Sequence, residues 1–369
     1  MTTSFITSDN IGAGFRVTLG TNQAVVVEKG VTVGSTNLAA LWAGGINGRM
    51  DIFGSALGEI GGVSLLNAID AGVHVWAGGT VGASLPDSFG IAINNSTCFV
   101  ANHGLIFGED AVTALLAIDA RVENFGEIRG DERAIVVQDT GNGSFTLVNT
   151  GVITGGFSTG IAYVSTGNVV DEIVNSGTIN GKIELGNGAD RYFGANAGAM
   201  NEGAMASSGL SISSNVSGGG GSDELVGGTF SDFLLGGTDK DTLRGGAGHD
   251  YLSGDAGADL LSGGSGDDFF VYGAASDSRG ADRDMIYDFS HSAGDLIDLF
   301  AIDANEGKAG NQAFDFIGSA GFSGNAGTLR VVHTRGSTIL LASTDTDAQV
   351  EFSVNFDGHV ALSASDFSL

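Results

Sequence analysis

Gly218-Gly219-Gly220-Gly221-Ser222-Asp223-Glu224-Leu225-Val226 opens a run that continues without a gap to Val271. The run divides into nine-residue units beginning at Gly218, Gly227, Gly236, Gly245, Gly254 and Gly263. An aspartate holds the sixth position of each: Asp223, Asp232, Asp241, Asp250, Asp259 and Asp268. An apolar residue holds the eighth: Leu225, Leu234, Leu243, Leu252, Leu261 and Phe270. A flexible Gly-rich linker does not keep leucine on a strict period, so the run encodes repeated structure.

The spacing dictates a geometry. The triplet around each apolar residue is a short strand with one inward side chain, because strand side chains alternate between faces. Glycines permit positive φ, so the intervening turns are tight and their carbonyls converge. Two units make one coil, which predicts Asp223, Asp241 and Asp259 along one edge and Asp232, Asp250 and Asp268 along the other. Oxygens converging from carboxylates and carbonyls are the ligand set of a hard cation such as Ca²⁺, which takes 6–8 of them. The pattern G-G-x-G-x-D-x-U-x resembles the calcium-binding nonapeptide of RTX proteins. That resemblance implies a parallel β-roll with ions between successive turns on one edge, roughly four sites in a run of this length. The candidate ligand and turn positions are the six aspartates with Gly219, Gly221, Gly228, Gly237, Gly246, Gly248, Gly257, Gly264 and Gly266. Phe230 and Asp239 replace the fourth-position glycine, and Asp255 replaces a second-position one. Asp239 and Asp255 either add ligands or weaken their turns, and Phe230 costs or loosens one site.

The chain has 369 residues, enough for two or three domains. It holds 63 glycines, one proline and 42% apolar residues, which suits a solenoid of short strands. The net charge is −28, and residues 201–369 carry 25 acids against 7 bases. Without a divalent cation that half repels itself. The same charge argues against nucleic acid and anionic membrane surfaces as partners. Cys98 is the only cysteine, so no intrachain disulfide forms. No charged-then-apolar leader opens the sequence, and no apolar run reaches the length of a membrane span. Export, if it occurs, is expected by a route that needs no N-terminal signal.

Residues 1–184 show a longer repeat. Asn102-His103-Gly104-Leu105-Ile106-Phe107-Gly108 returns as N-x-G-x-I-x-G at Asn124, Asn149 and Asn175, spaced by 22, 25 and 26 residues. Weaker copies lie at Gly30/Gly34, Gly54/Gly58 and Gly78/Gly82, with Val33, Leu57 and Val81 as their apolar residues. This period fits one coil of a parallel β-helix, three short strands and three turns. Ile106, Ile128, Ile153 and Ile179 are expected to stack in the core, and the asparagines to form a ladder at one turn. Ala24–Val27, Ala134–Val137 and Gly160–Val164 supply other strands. Leu185-Gly186-Asn187-Gly188-Ala189-Asp190 resembles half of a nonapeptide unit, with Asp190 in the ligand position. Residues Gly194 to Ser217 read as a linker or one poorly marked coil.

After Val271 come Asp284-Met285-Ile286-Tyr287-Asp288-Phe289 and Gly294-Asp295-Leu296-Ile297-Asp298, then alternating stretches at Thr328–His333 and Val350–Val354 that read as antiparallel strands. The chain ends Ser365-Asp366-Phe367-Ser368-Leu369. From Gly218 onward it resembles the C-terminal domain of the serralysin family. That implies type I secretion, with export machinery reading the uncleaved C-terminus, and calcium-triggered folding outside the cell. Asp284, Asp288, Asp295 and Asp298 would add a calcium site after the roll, or are surface acids.

No catalytic signature stands out. The serralysin zinc helix is missing, no two histidines lie at i, i+4, and no G-x-S-x-G elbow occurs. Arg129, Asp131 and Arg133 lie close together, as a solvated turn also would. The expected organisation is all-β: a parallel β-helix over 1–184, a junction and calcium-binding β-roll over 185–275, and a secretion-signal domain over 276–369. The expected role is structural and extracellular, at the cell surface or matrix, as a homo-oligomer or polymer. A polysaccharide lyase or epimerase, or a glycan-binding adhesin, is the alternative, with surface polysaccharide as partner; this architecture resembles alginate epimerases and polysaccharide lyases.

Overall fold

The computed structural model describes residues 1–116, 119–139, 143–156, 159–194, 212–347 and 349–369. Most of the stretch read as a linker, residues 195–211, therefore lies outside the described residues. The regular secondary structure of the described residues is β-strand, apart from one 3₁₀ turn at Ala364–Asp366. It divides into two compact units, Met1–Ser211 and Ile212–Leu369.

In the first unit each coil contributes three strand segments, such as Ala71–Val75, Thr80–Gly82 and Phe89–Asn94. Among the described residues the pairing between coils is parallel, and it aligns three buried columns. The first runs Val25, Met50, Val73, Val100, Val122, Leu147 and Ile173. The second runs Val33, Ala56, Val81, Ile106, Ile128, Ile153 and Ile179. The third runs Leu41, Val63, Ile91, Val112, Ile135, Tyr163 and Ile183. Each full burial of such a side chain is worth roughly 1.5–3 kcal/mol as an upper figure. The weak repeat at Gly54 needs a correction. Ala56, not Leu57, occupies the core column, and Leu57 pairs with Gly34 and Gly82 one position along. A one-residue slip sends a side chain to the opposite face, and the smaller alanine is the one facing inward.

The asparagine ladder is present and buried. Nδ2 of Asn102, Asn124 and Asn149 donates to Oδ1 of Asn124, Asn149 and Asn175, each at 2.8 Å. The same amides also donate to the carbonyls of Glu127, Val152 and Thr178. The glycine two residues on is required by close approach: a Cβ at Gly126, Gly151 or Gly177 would collide with the carbonyl of the equivalent glycine one coil earlier.

The second unit repeats the arrangement with two faces. Leu225, Leu243, Leu261, Ile286 and Phe356 form one buried column. Val216, Leu234, Leu252, Phe270, Ile297 and Phe367 form the other. The strands Thr328–His333, Ser337–Ser343 and Phe352–Asp357 make an antiparallel meander. Its last strand joins the parallel roll by pairing Asn355–Phe356 with Met285–Ile286. The terminal strand Phe367–Ser368 pairs with Ile297–Asp298, so the end of the chain adds a rung to the roll.

Candidate metal centre

The sixth-position aspartates are inside the roll, not on its surface. Asp241, Asp250, Asp259 and Asp268 are fully buried, and Asp223 and Asp232 nearly so. They stack in two ladders. On one edge the backbone N–H of Asp223 donates to Asp241 Oδ1 at 2.8 Å, that of Asp241 to Asp259 at 2.8 Å, and that of Asp259 to Asp284 at 2.9 Å. On the other edge Asp232 donates to Asp250 at 2.8 Å, Asp250 to Asp268 at 2.9 Å, and Asp268 to Asp295 at 3.1 Å. The alternation of edges matches the two-units-per-coil reading. Asp284 and Asp295 extend the ladders past the last nonapeptide at sequence separations of 25 and 27. In the first unit Asp190 stands in the same relation to Asp171, whose N–H it accepts at 2.8 Å.

Oδ1 of Asp241, Asp250, Asp259 and Asp268 is thus used. The other faces the first glycine of its own unit, and a Cβ at Gly218, Gly227, Gly236, Gly245, Gly254 or Gly263 would collide with it. Oδ2 of Asp241, Asp250, Asp259 and Asp268 is buried with no hydrogen-bond partner. An ionised carboxylate left so is costly and must gain a proton or a cation. Burial pushes Asp241 and Asp250 up to about 8, Asp259 to about 7 and Asp268 to about 6. Burial likewise raises Asp284 to about 8, and raises Asp295.

The turns supply further oxygens. Gly219, Gly221, Gly237, Gly246, Gly248, Gly264 and Gly266 all have positive φ. Their backbones press onto the preceding turn of the same edge: a Cβ at Gly237, Gly246, Gly264 or Gly266 would strike the carbonyl oxygen of Gly219, Gly228, Gly246 or Gly248. Carbonyls are stacked there at separations no side chain would allow. Asp239 and Asp255 take the glycine conformation, with φ of 79° and 58°. Aspartate is among the residues that tolerate that region best. The Asp239 carbonyl abuts Gly257, as the glycine carbonyls do elsewhere. In the second unit neither Gly228 nor Phe230 is among the positive-φ residues, and Phe230 is exposed. Asp288 caps the Gly263–Gly264 turn, accepting both backbone N–H groups at 3.0 and 2.9 Å. Buried carboxylate oxygens without partners, beside stacked carbonyls, are a donor set that fits a hard divalent cation.

The family model for the peptidase M10 serralysin C-terminal region matches residues 172–369. The chain belongs to that family. Two solved structures are similar to this serralysin C-terminal chain. The AlgE6R3 subunit of the Azotobacter vinelandii mannuronan C5-epimerase is 34% identical, covering 40% of this chain and 77% of that one, with a TM-score of 0.32. The AlgE6R2 subunit of the same enzyme is 31% identical, covering 40% and 89%, with a TM-score of 0.28. No curated protein matches the chain. The RTX-type roll is thus a family feature, and its ladders fall inside the matched serralysin segment.

Sequence reading missed one acidic group. Asp345, Asp347 and Glu351 bring a carboxylate oxygen each within 4.8 Å of one another, on a loop between two antiparallel strands. The D-x-D-x-x-x-E spacing was its only signal. Of the residues weighed for chemistry in the first unit, Arg133 is clamped by both oxygens of Asp110 at 2.8 and 2.7 Å, and Arg129 lies near Glu127 at 3.8 Å. Burial pushes the Cys98 thiol up to about 12, so it stays protonated.

Proposed function

We propose that this protein is an extracellular calcium-binding β-solenoid, exported by type I secretion, that acts structurally at the cell surface or in the matrix and assembles with copies of itself. The observation that carries the calcium reading is the buried carboxylate oxygen without a hydrogen-bond partner on each of Asp241, Asp250, Asp259, Asp268 and Asp284. Asp223, Asp241, Asp259 and Asp284 on one edge, and Asp232, Asp250, Asp268 and Asp295 on the other, would hold the ions with the turn carbonyls at Gly219, Gly221, Gly228, Gly237, Gly246, Gly248, Gly257, Gly264 and Gly266. Asp239 and Asp255 contribute within those turns, Asp288 at the cap, and Asp190 at the equivalent place in the first unit. Bound calcium supplies the positive charge that lets these carboxylates stay ionised while buried. Millimolar calcium outside the cell then selects the folded state, and low calcium inside keeps the chain competent for export.

Membership in the serralysin C-terminal family supports the secretion route. Deleting about the last 60 residues removes the whole antiparallel meander and the terminal rung, and is expected to retain the protein inside the cell; normal export of that truncation would refute the route. Assembly is supported by the repetitive side walls of a solenoid. Light scattering in calcium tests it: multimers are expected, and a monomer at high concentration counts against it.

A glycan-binding role at the same location is favoured by one feature. Phe53, Trp76, His103 and Phe125 stack in a row on successive coils, with ring centroids 5.2, 6.0 and 4.5 Å apart. Phe53 and Phe125 are exposed.

A further inference from the structure

We propose that the antiparallel meander of the second unit carries a two-histidine site for a borderline divalent cation of the Zn²⁺ class, built by His333 and His359 and separate from the calcium ladders.

His333 ends the strand Thr328–His333, and His359 follows the strand Phe352–Asp357. The strand Ser337–Ser343 lies between those two and pairs with both. Side chains alternate along a strand, so His333 continues the face of Leu329 and Val331 past the end of the buried core. Gly358, with a φ of 74°, turns the chain out of its own strand. That turn carries His359 across the end of the middle strand to His333, where the two ring centroids are 5.6 Å apart at an interplanar angle of 33°. Both residues are exposed.

One buried hydroxyl anchors both histidines. Thr338 is fully buried and stands opposite His333 in register. Its Oγ1 accepts the Val360 N–H at 2.9 Å and lies 3.3 Å from each of the carbonyl oxygens of Gly358 and Val360, the residues on either side of His359. The single hydroxyl proton goes to one of those carbonyls, so the 3.0 Å contact with His333 is a donation from its Nδ1–H. That tautomer leaves Nε2 with its lone pair for a ligand. An imidazole whose other ring N–H is tied to an oxygen is the arrangement that holds histidine ligands at metal sites.

The spacing fits a single ion. Two imidazoles on one tetrahedral ion, at Zn–N distances of about 2.0–2.1 Å, have ring centroids roughly 5.2 Å apart. A shift of a few tenths of an ångström in two exposed side chains therefore brings both rings onto one metal. The ligand atoms choose the class: imidazole nitrogen suits Zn²⁺, Cu²⁺ and Ni²⁺, whereas Ca²⁺ takes oxygen. The 25 acids against 7 bases in residues 201–369 draw cations to this unit without choosing among them. Water completes the coordination on the open side. An ion there ties the ends of the two outer strands to each other across the middle one.

The test is calorimetric titration of the full-length protein with Zn²⁺ in millimolar calcium, which fills the ladders first, together with nitrogen NMR of the histidine rings. One saturable equivalent of zinc is expected, with shifts at His333 Nε2 and at the His359 ring. His333→Ala and His359→Ala should each weaken that equivalent at least tenfold, with the thermal melt in calcium unchanged. Both side chains are exposed, so neither variant is expected to lose its fold. Zinc binding that survives undiminished in either variant, or ring shifts at His74 or His249 instead, overturns the site. Absence of any zinc equivalent overturns it as well. Calcium uptake by the same protein is measured separately, so either failure leaves the calcium reading standing.

Discussion

The two units solve one problem with two chemistries. Both stack coils so that a polar side chain recurs at a buried turn and bonds to the next coil. In the first unit that residue is asparagine. Its amide both donates and accepts, so Asn102, Asn124 and Asn149 each pass a bond along the column and spend their remaining donor on a carbonyl. In the second unit it is aspartate, which only accepts when ionised. One oxygen takes the N–H of the previous coil and the other is left over. A neutral ladder closes on itself; an acidic ladder requires something positive. The difference predicts that calcium controls the second unit and bears on the first only at the coil of Asp171 and Asp190.

The largest effect expected is from calcium removal. Excess EGTA should abolish the β-signal of the second unit and leave that of the first, so thermal melts in calcium and in chelator should differ by a whole transition. Superimposable melts would erase the distinction between the ladders.

Next in size is a break in the neutral ladder. Asn124→Ala strands the Asn102 donor and the Asn149 acceptor in the core, at a cost of about 3 kcal/mol, with or without calcium. A loss that appears only in chelator would show that the first unit also depends on the metal.

A smaller effect concerns pH. Burial raises Asp241 and Asp250 to about 8, against an ordinary value of 3.8. In calcium-free protein the folded form holds those protons between about pH 4 and 8 and the unfolded form does not. Metal-free stability should therefore fall as pH rises through that window and level off above it. In calcium the trend reverses, because protons compete with the cation. The β-signal of the second unit in EGTA at pH 5 and pH 8, and the denaturant midpoint in calcium at both, measure the two signs; a metal-free second unit more structured at pH 8 than at pH 5 would contradict the burial of ionisable carboxyls.

The smallest effect sharpens the role of the irregular turns. Asp239 has a φ of 79°. Asp239→Gly should relieve up to about 1 kcal/mol of backbone strain in calcium-free protein at low pH. If calcium affinity falls at the same time, the side chain is a ligand; if affinity is unchanged, only its carbonyl matters.

Much of this was legible in the sequence because both repeats have a fixed period. Leu225 through Phe270 and Ile106 through Ile179 all sit where periodicity places them. Legibility failed where the period did. The Gly54 copy hides its core residue because Ala56 is small and its larger neighbour Leu57 draws the eye. Asp284 and Asp295 could not be told from surface acids, since their coils are longer than the nonapeptide pair and only hydrogen-bond register shows them joining the ladders. The repeat set the aspartates along two edges without fixing their burial, which comes from the turn folding each back against its own glycine.

Residue-resolved hydrogen exchange, with calcium and with EGTA, tests the central contrast most directly. The amides of Asp223, Asp232, Asp241 and Asp250, each bonded to a carboxylate one coil on, should be protected in calcium and exchange freely in chelator. The amides of Phe125, Thr150 and Ser176, bonded to carbonyls beside the asparagine column, should be protected in both. Equal protection of the aspartate amides in the two conditions would show that the acidic ladder stands without a cation, and would contradict the account.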